Sequence, residues 1–480
     1  MQKDFKNTLG LKSHPAQFWK SFNDNAVECF LCPRHCKLKS EQYGFCQVRK
    51  NEDSKLVTLN YGVSVQMTQE FIETEACNHF TPGAAILSLG NVGCMMACDF
   101  CHNWQTSQMK YVEKKEINFY TPEQIVQAAL DKGIGMLSWT YNDPVVWQEF
   151  VVDTARLAKK HGIKNLYKSA FYIGSEAIDQ LHEVMDIFSI SLKSMDPVFY
   201  SKITKGKLQP VLDGIKQVYN YGDSHLELSN LVVTGRNDTI EEIKKVVDWM
   251  LANLDDKVPL HIVRFHPDFK YTHVERTSIP FLIQAREVAK QMGLKHVYLG
   301  NVYQENEGLL TRCEKCTSVL VNRFGLSIDV SGMTATGACV KCGHQSDIKC
   351  PPLKERKPSN SKPNLPAKKS EFVWHGDINA CHVGLENTSS TPSEFVMEYF
   401  YSDATKNSFK AMTLAPGEKW RMIASRSAIN ELGVRVHFND KTNFEFFEVK
   451  DRAHFPTHDG EQSAVLLDQK MNDEKSSANL

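Results

Sequence analysis

Fourteen cysteines constrain this chain more than any other feature, because eleven of them stand in three tight groups whose sulfurs have to converge somewhere in the fold. The first group is Cys29, Cys32, Cys36 and Cys46. The second is Cys94, Cys98 and Cys101, and the third pairs Cys313 and Cys316 with Cys339 and Cys342. Cys77, Cys350 and Cys381 have no neighbour at motif spacing and read as buried or incidental thiols. The opening stretch MQKDFKNTLGLKSHPAQFWK has no apolar signal-like core, and no run of eighteen apolar residues occurs, so a cytoplasmic, non-membrane protein is expected. In a reducing compartment clustered thiols bind metal in preference to forming disulfides, and thiolate sets select zinc or iron–sulfur centres.

The remaining composition sets the frame. In 480 residues, 42% are hydrophobic and 24% charged, enough apolar surface for a sizeable core. Lys and Arg (56) balance Asp and Glu (57), so no global basic field exists to attract nucleic acid or a membrane surface. Residues 1–80 form a Cys-rich N-terminal region that opens on a polar lead-in. Over 81–305 six short apolar runs, AILSLG, MLSWTY, KNLYKSA, IFSISL, LELSNLVV and PLHIVRF, alternate with six helical patterns. Within the first of these, Thr121, Pro122 and Gln124 supply an N-cap, a proline at the first helical position and a capping-box partner. That alternation predicts an α/β fold on a parallel sheet, but periodicity leaves open whether the sheet is flat or curled. Residues 306–350 carry the paired cysteine knuckles, and 351–370 read as a Pro/Lys/Ser-rich linker. Alternating residues such as Val434, Val436 and Phe438 predict an all-β domain, a small sandwich, over 371–468, with a frayed tail at 469–480. Tyr399, Phe400 and Tyr401 there divide between core and surface by alternation.

The middle group sits in GNVGCMMACDFCHNW, just after the first apolar run, and parallel α/β sheets put their ligands at the carboxyl ends of strands. Three thiolates on one short loop can hold three irons of a cubane and leave the fourth open. Cys94-x3-Cys98-x2-Cys101, with Phe100 before the last cysteine, resembles the radical S-adenosylmethionine (SAM) superfamily. Across residues 26–350 the segments CFLCPRHC, NHFTPG, CDFCHNW, TYNDPVVWQEF, KGKLQPVLD, FHPDF and VYLGNV resemble the radical SAM member of the AmmeMemoRadiSam system, related to pyruvate formate-lyase activating enzymes. The resemblance implies a partial (β/α)6 barrel, a 4Fe–4S cluster on Cys94, Cys98 and Cys101, and SAM chelated at the open iron. It also implies reductive cleavage to a 5′-deoxyadenosyl radical, an electron donor of flavodoxin or ferredoxin type, and a protein or peptide as a possible substrate. Phe100, Asn142, Asp143 and Lys193 are the cofactor-contacting residues it points to: Asn142 and Asp143 replace a Gly-Gly-Glu segment, and Lys193 matches the lysine of an Asp-Leu-Lys triplet. Ser191 and Lys168 stand where the activating enzymes have acidic residues, which speaks against a simple transfer of activase function. His102 and Trp104 could line the same pocket, although a lone histidine is more often structural.

The outer groups are read from spacing. Cys313-x2-Cys316 and Cys339-x2-Cys342 make two knuckles that can close a tetrahedral site, zinc first and iron second. Cys29, Cys32, Cys36 and Cys46 suit zinc or an auxiliary iron–sulfur centre, zinc first because the ferredoxin-like spacing is only approximate, and Arg34 and His35 beside them read as solvated. Two further function classes remain compatible with the sequence: a non-enzymatic zinc-binding interaction protein, and an iron–sulfur electron-transfer protein.

Overall fold

A computed structural model describes residues 4–23, 25–302, 307–324, 327–353, 371–375, 380–401, 408–417, 419–425, 431–438 and 444–448. The chain divides into two compact units, one of Met1–Asn322 with Ile328–Arg356 and one of Arg323–Ser327 with Lys357–Leu480. Most of the expected linker and the whole C-terminal tail lie outside the described residues.

The first unit is built on an eight-stranded sheet. Its strands are β1 (Gln66–Phe71), β2 (Ala85–Gly90), β3 (Met136–Thr140), β4 (Lys164–Ser169), β5 (Ile187–Ser191), β6 (His225–Val232), β7 (Leu260–Arg264) and β8 (Val297–Gly300), and they lie side by side in that order. Strands β2 to β8 are mutually parallel, and β1 pairs antiparallel with β2. The six apolar runs of the sequence are β2 to β7. The seventh parallel strand, β8, is the motif VYLG, too short for its period to be read. Strand β1 carries polar residues on both faces and gave no alternation signal.

Six helices form the crossovers: α1 (Pro122–Lys132), α2 (Gln148–Lys160), α3 (Ser175–His182), α4 (Leu208–Tyr221), α5 (Ile240–Asn253) and α6 (Ile279–Gln291). Helix α1 begins as its sequence dictates, with Thr121 and Gln124 closing a capping box, and ends on Gly133 at φ 65°, a left-handed turn that glycine adopts without steric cost. The sheet curls into a partial barrel around the segment 72–84. Ile72, Cys77 and Phe80 pack against Ile86, Met136, Leu166 and Ile187, which lie in the opening halves of β2 to β5 and so toward the amino end of the sheet. From the same segment the Glu75 carboxylate accepts from Ser138 (2.9 Å) and Thr140 (2.7 Å), while Glu227 of β6 accepts from the backbone N–H of Asn78 and His79. One short stretch touching five strands on one face requires that face to be concave.

The polar lead-in is not loose. Phe5, Leu9 and Leu11 are buried, because a one-and-a-half-turn helix capped by Asp4 presents its few apolar residues to the core. In the second unit the strand pairs among the described residues of 371–448 are antiparallel. One sheet orders Glu371–His375, Glu431–Phe438, Ser393–Tyr401 and Ser408–Leu414, and another orders Lys419–Ser425, Ala380–Asn387 and Phe444–Glu448. Tyr399, Phe400 and Tyr401 fall in the third strand of the first of these sheets.

Candidate functional site

Everything that the sequence marked as a cofactor contact lies at the carboxyl end of the parallel strands. The loop after β2 carries Cys94, Cys98 and Cys101, and Gly93 begins it at φ +82°, where a Cβ would sit 2.8 Å from Val48 Cγ1 and 2.9 Å from the Cys46 carbonyl oxygen. Both the backbone angle and the close approach demand glycine there. The loop is held from several sides. Ala97 N–H donates to Thr204 O (3.2 Å) and Asp99 N–H to Ile203 O (3.1 Å), while the Asp99 carboxylate pairs with Lys205 (3.0 Å) and Lys270 (2.8 Å). Burial pushes the Cys98 thiol up to about 12 and raises Cys94 and Cys101 as well. These thiols therefore stay protonated near neutral pH until a metal takes them.

Lys193 follows β5, and its ammonium lies 5.8 Å from the centroid of the buried Phe100 ring. Its charge favours the thiolate forms of Cys98 and Cys101. Among the described residues the Lys193 ammonium has no hydrogen-bond or ion-pair partner, whereas its backbone is fixed by Tyr200 and Asn237. It is a cation held near the Cys98 and Cys101 thiols.

Asn142 and Asp143 end β3 in a sharp turn, after Tyr141 at φ 63°. Both are already engaged. The Asn142 oxygen accepts from Thr106 (3.1 Å) and its amide donates to Asn91 O. Asp143 accepts from Ser169 (2.8 Å), Val145 N–H (3.2 Å) and Ala170 N–H (2.7 Å), and burial raises its carboxyl despite those bonds. A carboxylate offers about four acceptor positions, so one remains on Asp143. On the rim, His102 pairs with the His266 carbonyl oxygen (2.9 Å), and Trp104 donates to Asp268 (3.0 Å) and stacks on Phe269, so both brace the FHPDF segment.

The interior below this mouth holds residues the sequence reading passed over or misjudged. Lys168 donates to Ser189 (3.1 Å) and Ser229 (2.9 Å), Ser191 meets Ser229 at 3.2 Å, and burial lowers the Lys168 ammonium to about 8. Glu227 gathers His225 (2.8 Å), His261 (2.7 Å) and the Cys77 thiol (3.3 Å). Burial would raise that carboxyl, but the two imidazoles hold it well below the usual carboxylate range. Cys77 is thus buried, one of the two expectations for it, and is a fixed member of a polar network. The signal for this layer was present in LELSN, where Glu227 and Ser229 recur with period two inside an apolar run.

The two outer cysteine groups both converge, at opposite ends of the sheet. Cys313, Cys316, Cys339 and Cys342 bring all four sulfurs within 4.8 Å of one another, with Cys313–Cys342 and Cys316–Cys339 both at 3.6 Å. Their module is tied to the amino end of the barrel, where Lys349 N–H donates to His79 O and Thr81 N–H to Lys349 O, each at 2.8 Å. Cys350 packs against this group. Cys29, Cys32, Cys36 and Cys46 line a single cavity at the carboxyl end, where Leu31 O accepts from Gly174 N–H ahead of α3 (2.8 Å). Arg34, expected to be solvated, instead donates to Met95 O (2.6 Å) and lies over the Phe45 ring, so it clamps this region onto the central loop. His35 is exposed and pairs with Glu28. Cys381 belongs to the strand Ala380–Asn387.

With the geometry in hand, comparison with known proteins gives the class. Residues 90–250 match the family model of the radical SAM superfamily. Over 336 residues the chain is 35% identical to an uncharacterized protein of Methanocaldococcus jannaschii, covering 69% of this chain and 98% of that one. It is 25% identical over 181 residues to a pyruvate formate-lyase-activating enzyme of Clostridium pasteurianum, covering 36% of this chain and 72% of the relative. A probable GTP 3′,8-cyclase of Sulfolobus acidocaldarius is 26% identical over 195 residues, covering 39% of this chain and 59% of the relative. The chain belongs to the radical SAM superfamily of enzymes. No helix among the described residues is long and apolar enough to cross a membrane.

Proposed function

We propose that Cys94, Cys98 and Cys101 hold three irons of a 4Fe–4S cluster whose fourth iron takes SAM, and that the protein abstracts a hydrogen atom from a protein or peptide substrate. When bound, that cluster supplies one electron to the sulfonium, which yields methionine and a 5′-deoxyadenosyl radical able to take a hydrogen atom from substrate. The carrying observation is that one loop at the carboxyl mouth of a parallel sheet carries three thiols beside Lys193, an ammonium with no hydrogen-bond or ion-pair partner among the described residues. Lys193 suits the carboxylate of SAM, because an ammonium enclosed in protein gains most from an anionic partner. The free acceptor position on Asp143 and the second lone pair of the Asn142 oxygen suit the SAM ammonium, and Phe100 supplies an apolar wall beside the sulfurs.

Cys313, Cys316, Cys339 and Cys342 read as a structural zinc site. Two Zn–S bonds of about 2.3 Å at a tetrahedral angle put sulfurs about 3.8 Å apart, close to the 3.6 Å seen here. The second unit, with its antiparallel sheets and no cysteine cluster of its own, supports a protein or peptide substrate. Reduction falls to a flavodoxin- or ferredoxin-type donor.

Anaerobic incubation with SAM and a strong reductant tests the reaction. The expected product is 5′-deoxyadenosine, absent from a C94A/C98A/C101A variant; equal yields from the two proteins would end this reading. Deuterium passing from a labelled protein or peptide into 5′-deoxyadenosine would identify the substrate class.

A further inference from the structure

The N-terminal four cysteines differ from the C-terminal four in a way that bears on what they bind. Among the described residues, only three sets of Cys, His, Asp or Glu gather three or more ligand atoms within 4.8 Å of one another: the C-terminal tetrad, Cys77 with His225 and Glu227, and His296 with Glu314 and Asp347. Cys29, Cys32, Cys36 and Cys46 are not among them, and neither are Cys94, Cys98 and Cys101. Yet the N-terminal four face one another. Cys29 and Cys36 are register partners across two antiparallel strands, and a Cβ on Gly44 would sit 3.8 Å from the Cys46 sulfur and 3.9 Å from the Cys36 sulfur. All four line one small cavity, of about 20 Å³.

A single metal ion needs its four sulfurs nearly touching, as the C-terminal tetrad has them. In a cubane each thiolate binds a different iron, so the sulfurs stand about 6 Å apart around a shared core. The wider N-terminal arrangement fits the second case. The cavity wall adds an independent sign of an absent occupant. Arg49 is 2% exposed, and its two terminal nitrogens donate to Gln17 O (2.9 Å) and Glu149 (2.5 Å). Among the described residues its Nε–H has no acceptor, although Arg49 lines the cavity. A buried donor without a partner costs roughly 1–3 kcal/mol unless something accepts from it. Cluster sulfur is an acceptor, and four thiolates around a 4Fe–4S core carry net negative charge that the Arg34 and Arg49 guanidiniums oppose.

We propose that Cys29, Cys32, Cys36 and Cys46 bind a second, fully ligated 4Fe–4S cluster, and that Arg49 donates a hydrogen bond to it. The site shares a wall with the central loop: Met95, next to Cys94, lines the same cavity, and the Cys46 carbonyl oxygen abuts Gly93. This assignment stands on the tetrad's own geometry and does not depend on how Cys94, Cys98 and Cys101 are used.

The test is a metal and sulfide count on the full chain, reconstituted anaerobically with ferrous iron and sulfide. The C94A/C98A/C101A variant is expected to keep about four iron and four acid-labile sulfide per chain. On reduction it should give an S = ½ electron paramagnetic resonance signal that SAM leaves unchanged. Two zinc and no sulfide in that variant, or an empty tetrad, would overturn the proposal. Should the variant not fold, the wild-type count decides between about eight iron and about four iron, and the lower number with two zinc overturns it. A further C32A/C46A substitution in the same background should remove the remaining iron while the C-terminal tetrad keeps its metal; retained iron would also overturn it. If the wild-type protein shows one SAM-insensitive cluster and cleaves no SAM, the function proposed above fails and this site stands.

Discussion

The two ends of the barrel carry cysteine tetrads of equal ligand count and different build. At the amino end, Cys313, Cys316, Cys339 and Cys342 come from two knuckles in a small module whose buried hydrophobic set is Leu320, Val321 and Ile348 with two of the cysteines themselves. Such a piece has too little apolar surface to fold alone, and its sulfurs stand close enough together for one ion to hold it. At the carboxyl end, Cys29, Cys32, Cys36 and Cys46 belong to a region already fixed by packing on the main core and by the buried Arg49–Glu149 pair. Sulfurs freed from holding their own module together can stand wide enough for a larger group. On the assignments proposed above, one end serves stability and the other redox chemistry, although a count of cysteines makes them look alike.

The largest effect is expected from breaking the compact site. Cys339→Ser should lower zinc by one per chain and unfold the module, because structural zinc is worth on the order of 10 kcal/mol in small domains. Hydrogen exchange across 310–350 should rise sharply while iron and sulfide stay constant; a module that keeps its protection would erase the contrast between the ends. At the other end, C94A/C98A/C101A should cut 5′-deoxyadenosine formation by roughly a thousandfold or more, since the bond cleavage belongs to the cofactor these thiols hold. Its zinc content should not change.

Arg49→Met probes how the carboxyl-end tetrad is held. Glu149 would be left buried without its cation, at a cost of about 3–5 kcal/mol in urea unfolding. An Arg49→Met/Glu149→Leu double variant should recover most of that loss, and failure to recover would mean the pair is not what anchors the region.

Lys168 gives a pH signature of the closed interior. Its folded value is about 8 against an ordinary 10.5. Below pH 8 the lysine is charged whether folded or unfolded, and the burial cost is felt in full. Between about 8 and 10.5 the unfolded chain binds more protons, so stability rises with pH, by about 3 kcal/mol at most. Lys168→Met should abolish that rise. Smallest is the change at the mouth, where Lys193→Gln should weaken SAM binding about tenfold or somewhat more without altering the iron content. Unchanged SAM affinity would remove Lys193 from the site.

Much of this was legible from residues alone. The capping box at Thr121, the six apolar runs and the loop spacing of Cys94, Cys98 and Cys101 are local facts, and local facts survive folding. Strands β1 and β8 were not legible, because a polar edge strand and a four-residue strand carry almost no periodic signal. Arg34 was misread, and the polar network around the buried Cys77 was missed, for a related reason. Their partners, the Met95 carbonyl and Glu227, lie 61 and 150 residues away in sequence.

The sequence by itself determined that three thiol sets exist and that one of them follows a strand of a parallel α/β sheet, since spacing and alternation are short-range properties of the chain. Only the tertiary structure decided which barrel end each tetrad occupies, how far apart its sulfurs stand and which cations face them. Those quantities depend on the closure of the sheet around segment 72–84 and on contacts between residues distant along the chain, and no local pattern encodes a distance of that kind.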